Sequence, residues 1–485
     1  VHPPDFLTMH RFNHHVFRKA IQLSSAMILL GCLMGGFFVP RTRAQSTKSK
    51  PMSSSDQATL RTALETYDQG NIQKAEPLLR DLAKRYPRNY EASEALGSLY
   101  IEAGDLNKAL PHLERAIAIA PSQAIAHANL GAAYIKLNRN KDAIHELQLA
   151  AKLEPRNAET QSNLGHALML TGQPAAAAKA FAIATEATPG NWELAYNWAL
   201  ALHDSGAFQQ AAVVLQKVPA QAMTDQLQSL AGDVNEKLGN YKEAIVHYQA
   251  AAQLNPSDAN LYTLTLELLR HWTWDEAIQI ANYGATRYPD KIHFKVAEGI
   301  ALYGSSKYPA AAAALSKLLA QDPENGFYAD LLGRSCSLIT DGVNPDCNGL
   351  EDFARRHPEN ARAATYAAAS ILHRPAAEQD TAKAEQLLRQ AIAADPKLTE
   401  AYYQLGVLEQ QRSHWKESAE ALEKAVALRP EYTEAHYRLS RAYAHMGMRE
   451  DAQKQMALQQ QYSQQEKDHL NSRLQEVVTF LLKPS

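Results

Sequence analysis

Apolar residues recur along this chain in short stripes at helical spacing. Leu96 and Tyr100 form one such stripe, and Ala109, Leu113 and Ala116 form a second, with polar residues between them. The two stripes return as Leu130 and Tyr134, then Ala143, Leu147 and Ala150. They return again as Leu164 and Leu168, then Ala177, Phe181 and Ala184. Residues three or four apart lie on one face of a helix, so each segment is expected to fold as two amphipathic helices. The alternating Val, Ile and Thr runs that mark strands are scarce, while the helix formers Ala, Leu, Gln and Glu are common. The expected class is all-α.

Proline sets the period. Prolines stand at 87, 121, 155, 189, 256, 289, 323, 358, 396 and 430, at intervals of 34, 34, 34, 67, 33, 34, 35, 38 and 34. The interval of 67 is two repeats. Pro121 cannot extend the second helix and restricts the residue before it, so the chain turns there. Gly97 and Ala109 are small because two antiparallel helices approach closely at those points. One hairpin cannot bury its apolar face alone, so stacked neighbours supply the core.

Leu96-Gly97, Tyr100, Ala109, Leu113, Ala116 and Pro121, with their equivalents, resemble the tetratricopeptide-repeat pattern from residue 56 to about 466. The resemblance implies a right-handed superhelical solenoid of stacked antiparallel helix pairs, about twelve units in all. The units are expected to begin near Asp56, Tyr90, Ala124, Ala158, Trp192, Asp225, Ala259, Ile292, Gly326, Ala361, Thr399 and Thr433. Units one to eight span 56–325, irregular units nine and ten 326–398, and units eleven and twelve 399–466. Asp341 to Pro345 and Arg374 to Asp380 interrupt the pattern with turn formers, predicting a change of curvature or a break across 326–398. Residues 467–485, with Leu470, Leu474, Val477, Val478 and Leu481 on one face, are expected to cap the last unit.

The N-terminus has a different character. Arg18 and Lys19 precede an apolar run from Ile21 to Val39, followed by Thr42-Arg43-Ala44 and a polar linker over 45–55. This resembles a secretory signal peptide cut after Ala44, with Met9 as the natural start. Two other readings stand beside it: Leu29-Leu30-Gly31-Cys32 resembles a lipobox that would lipidate Cys32, and the run is long enough to remain as a membrane anchor. All three place the repeats outside the cytoplasm, periplasmic or secreted, with membrane association only through an uncleaved or lipidated N-terminus.

Composition and charge narrow the function. Hydrophobic residues are 46% of the chain and charged residues 21%, as in a folded protein. Arg11, Arg18, Lys19, Arg41 and Arg43 against Asp5 give the first 44 residues +4, so with a net charge of −3 the remainder carries −7. A nucleic-acid binder would show a basic stripe, and no such partner is expected. No catalytic arrangement is found. His145-Glu146 lacks the second His of a zinc-protease helix, and Gly333-Arg-Ser335 lacks the closing Gly of a nucleophile elbow. No cofactor, metal or enzymatic activity is expected.

One feature stands above the scaffold. Asn129, Asn163 and Asn197 recur 34 apart, each one residue before Leu130, Leu164 and Trp198. The row is similar to the asparagine ladder in the repeats of O-linked N-acetylglucosamine transferases, which implies a concave groove where carboxamides grip a peptide backbone. Equivalent positions elsewhere hold Ala95, Leu230 and Leu264, so only three rungs match. The alternative reading is three solvated asparagines. Hydrogen bonds at ~0.5–1.5 kcal/mol each would need apolar or aromatic support. The candidates for that support are His166, Met169, Tyr196 and His203. Tyr403 and Tyr437 share the repeat position of Tyr196 and form a candidate second patch. Each of these side chains has core or rim packing as its alternative. Cys336 and Cys347 flank the irregular turn as a candidate disulfide, with two buried thiols the alternative.

These features point first to a non-catalytic adaptor of the cell envelope that binds extended segments of other proteins. A second reading is a structural part of an envelope machine, for polysaccharide export or outer-membrane assembly, which exported tetratricopeptide arrays resemble. A glycosyltransferase arm is disfavoured, because repeats running to about residue 466 leave no stretch for a catalytic domain.

Overall fold

The computed structural model describes residues 52–339, 345–375 and 380–482, with side chains to residue 467. The candidate export segment with Cys32, and the capping side chains from Leu470 to Leu481, lie outside the described residues. Helix follows helix, and no strand occurs among the described residues. Among the described residues 24 α-helices follow one another, odd-numbered helices opening a repeat and even-numbered ones closing it.

The chain divides into two compact units after Ala244. The first holds α1 Ser54–Asp68, α2 Ile72–Arg85, α3 Tyr90–Glu102, α4 Leu106–Ile119, α5 Ala124–Lys136, α6 Asn140–Leu153, α7 Ala158–Leu170, α8 Pro174–Ala187, α9 Trp192–Asp204, α10 Phe208–Gln216 and α11 Asp225–Lys237. The division falls within α12 Tyr241–Leu254. The second unit holds α13 Asp258–Arg270, α14 Trp274–Arg287, α15 Ile292–Gly304, α16 Tyr308–Gln321, α17 Gly326–Cys336, α18 Asn348–Arg356, α19 Ala361–Leu372 and α20 Thr381–Ala394. It continues with α21 Thr399–Gln411, α22 Trp415–Leu428, α23 Thr433–His445 and α24 Arg449–Leu482.

Local chemistry starts each repeat. In Pro-x-Asn sequences the asparagine caps the next helix: Asn89 accepts from the Ala92 amide, Asn157 from Thr160, Asn191 from Leu194 and Asn360 from Ala363. Each such cap is worth about 1 kcal/mol. The proline carbonyl is satisfied as well. A side chain six residues on reaches back to it in four repeats: His127 to Pro121 at 3.1 Å, Gln161 to Pro155 at 2.8 Å, Lys295 to Pro289 at 3.1 Å and His436 to Pro430 at 2.6 Å. Between the two helices of a pair the chain passes through a left-handed residue at a constant place: Gly104, Asn138, Gly172 and Gly206 are successive examples.

Close helix approach explains the small residues. A β-carbon on Gly97 would lie 2.6 Å from Leu113 Cγ, and one on Gly131 would lie 2.5 Å from Leu147 Cγ. In the first unit one buried cluster runs from Leu60 through Leu113 and Phe181 to Val234. In the second unit a cluster runs from Leu302 through Cys336, Phe353 and Leu388 to Leu408. This core runs through 326–398, the stretch where the sequence predicts a change of curvature or a break. Cys336 and Cys347 are joined by a disulfide with Cα atoms 5.9 Å apart, and both are buried. Leu350 and Phe353 on the short α18 are buried in the same cluster. Residues 467–482 continue α24 without a break, and earlier in the same helix Tyr462 stacks on His436 at 5.5 Å.

Candidate functional site

The asparagine row lies on α5, α7 and α9, at the sixth residue of each first helix. The three carboxamides have different surroundings. Asn129 Nδ2 donates to Ser98 Oγ at 2.7 Å and Glu94 Oε1 at 3.0 Å on α3, and Ser98 Oγ donates to Glu94 at 2.7 Å. Glu94 is only 1% exposed. Asn197 Nδ2 donates to His166 Nε2 on α7 at 3.2 Å, which leaves the imidazole proton on Nδ1. Two rungs are thus bonded to the preceding repeat.

Asn163 is the exception. It is 6% exposed, and its amide nitrogen is buried with no hydrogen-bond partner among the described residues. The register gives the reason: Ser98 and His166 supply the acceptors for Asn129 and Asn197, and Ala132 stands at the matching place before Asn163. An alanine methyl accepts nothing.

The accompanying residues pack around the row. Burial pushes the His166 pKa down to about 4, Glu193 opposing the shift, so the ring is neutral at ordinary pH and lies 5.1 Å from Phe181. Met169 and Tyr196 are half-buried against the core, and burial, aided by Asp233, pushes the Tyr196 hydroxyl up to about 12. His203 Nδ1 pairs with Asp204 at 3.0 Å, its ring meets Phe208 edge-on, and its Nε2 is buried without a partner among the described residues. The first unit thus brings the predicted residues onto neighbouring helices of one stack.

In the second unit, Tyr403 and Tyr437 occupy the fifth residue of α21 and α23. The Tyr403 hydroxyl accepts from Arg438 Nε at 3.1 Å, and Tyr437 is 46% exposed. The sequence reading missed Arg438, which stands in the asparagine position of its own repeat, and Asp330 with Arg334, spaced four apart on α17. Both follow from the same 34-residue register applied to charged residues.

Helix pairs of this period, small where they cross and closed by proline, define a helical-repeat interaction scaffold. Models described as tetratricopeptide repeat match residues 60–124, 162–226 and 403–452, and 100–164, and one described as TPR repeat matches 232–264. Together they cover just over half of the chain, which belongs to the tetratricopeptide-repeat family. No curated protein matches it.

Among solved structures it is similar to Naa15/Naa10 bound to HypK-THB, at 16% identity over 84% of this chain and 68% of that one, with a TM-score of 0.38. It is also similar to YrrB, described as a TPR protein with an unusual peptide-binding site, at 18% identity over 38% of this chain and 94% of that one, TM-score 0.36. A third is pilF of Pseudomonas aeruginosa, at 18% identity over 42% and 94%, TM-score 0.36. Likeness at this level carries no argument about function.

Proposed function

We propose that the first-helix face of repeats three to five holds an extended peptide segment of a partner protein. The observation that carries this reading is the buried, unpartnered amide of Asn163, a donor suited to a backbone carbonyl. Asn129 and Asn197 frame it, and His166, Met169, Tyr196 and His203 supply apolar and aromatic contact. The grip has one open rung rather than three. We place this activity in the cell envelope, on the support of the charged, apolar and small-residue pattern of residues 18–44. No helix among the described residues is long and apolar enough to cross a membrane.

The test uses a fluorescent peptide selected against the purified chain from a random library. Asn163→Ala is expected to weaken capture roughly fivefold, the equivalent of about 1 kcal/mol. Ala132→Ser should do the same by occupying the Asn163 amide, as Ser98 occupies that of Asn129. Unaltered capture by both variants, with helical circular dichroism intact, would overturn the reading.

A further inference from the structure

The last helix outgrows its repeat. The helices that close the two preceding repeats, α20 and α22, have 14 residues each, whereas α24 has 34. Its first part packs antiparallel along α23: Gln455 and Tyr462 meet His436, and Glu466 meets Thr433 at 3.4 Å. Thr433 is the first residue of α23. Residues 467–482 therefore run on past the end of that neighbour, for about 24 Å at ~1.5 Å per residue.

In this extension Leu470, Leu474, Val477 and Leu481 follow one another at spacings of 4, 3 and 4. That is the seam of a coiled coil, whose apolar positions recur every ~3.5 residues on average and are buried against another helix. A lone helix of this length is marginal in water, so the extension needs a partner. Lipid suits it poorly, because Lys467 and Arg473 are balanced by Asp468 and Glu476 and leave no cationic face.

The same helix in a second copy matches it. Spacings of 4, 3 and 4 read alike from either end, so a two-fold axis between positions 474 and 477 closes the seam on itself. In antiparallel helices this axis sets position 474 opposite 477, and position 470 opposite 481. Position 473, an arginine, then flanks position 480 of the second copy, a phenylalanine. A guanidinium and an aromatic ring attract one another in such a pairing. An interface of this kind is self-complementary and is complete at two copies.

We propose that residues 467–482 pair antiparallel with the same residues of a second copy, so that the chain dimerises through its last helix. The proposal is independent of the reading of repeats three to five.

The test is sedimentation velocity of the full chain at micromolar concentration, where twice the mass of one chain is expected. Leu474→Glu and Val477→Lys should each sediment as a single chain. Their helical circular dichroism should be unchanged, because neither position lies within a repeat. Mixing the two variants in equal amounts should restore the double mass, since position 474 of one faces position 477 of the other. A single-chain mass for the natural protein would overturn the proposal and favour an extension that caps its own repeat. A double mass that survives both substitutions would overturn it as well, and so would a mixture that stays single. Flotation with phosphatidylglycerol vesicles, abolished by Leu474→Glu, would assign the seam to lipid and sink the proposal.

Discussion

Asn163 and His166, three residues apart on α7, illustrate how one helix face can both bond its neighbour and leave a donor open. His166 accepts from Asn197, which requires a neutral ring. Burial supports that state by holding its pKa near 4 against an ordinary 6.5. Between those values the unfolded chain binds a proton that the folded chain refuses, so stability rises with pH through this window. The contribution is complete above about pH 6.5 and is lost as pH falls toward 4, an effect on the order of 2–3 kcal/mol. Burial also lowers the pKa of His112, adding in the same direction. His166→Gln keeps an acceptor for Asn197 and cannot charge. Its urea midpoint should therefore change less than that of the natural chain between pH 7 and 4.5. An equal slope in both would show that other groups govern acid sensitivity.

At the scale of the element, the helices were legible because their signals are local. Pro-x-Asn sequences mark the starts, small residues mark the crossings, and the apolar stripes show which face is buried. Repeat nine is where local signals weaken, since α18 spans only Asn348–Arg356 and follows a short 3₁₀ turn, Pro345–Cys347. The Cys336–Cys347 disulfide ties that turn to the end of α17. Closing a loop with a sequence separation of 11 restricts the unfolded chain by about 2–3 kcal/mol. Denaturation with reductant should show a loss of that size. The Cys336→Ala, Cys347→Ala double variant should be destabilised without reductant and insensitive to it. The spacing of the cysteines across a turn made the pair a candidate, but bonding depends on where α17 ends and α18 begins.

At the scale of the molecule, successive repeats within each unit pack on one another, and among the described residues no central core joins distant segments of a unit. A defect should therefore spread to neighbours and fade with distance. Phe181 is 1% exposed and lies under both Gly165 and His166. Phe181→Ala is expected to cost about 3–5 kcal/mol locally. Hydrogen exchange should quicken in α5 to α10 and stay near its natural rate in α1 and α2. Uniform acceleration across the first unit would indicate one cooperative block instead.

By itself the sequence determined the class, the number of helix pairs and their register, because turn chemistry and helical periodicity act over a few residues and repeat every 34 or so. Only the tertiary structure decided which polar groups of the first helices are engaged by a neighbour. Asn129 bonds Ser98 and Glu94, and Asn197 bonds His166, across separations of 31 to 35 residues. Ala132 stands at the place that Ser98 and His166 hold in the flanking repeats, and Asn163 keeps an amide without a partner among the described residues. Arg438 meets neutral oxygens where Arg374, Arg412 and Arg429 meet carboxylates. Those outcomes depend on the pairing of one repeat's side chains with the next, and stacking alone brings them together.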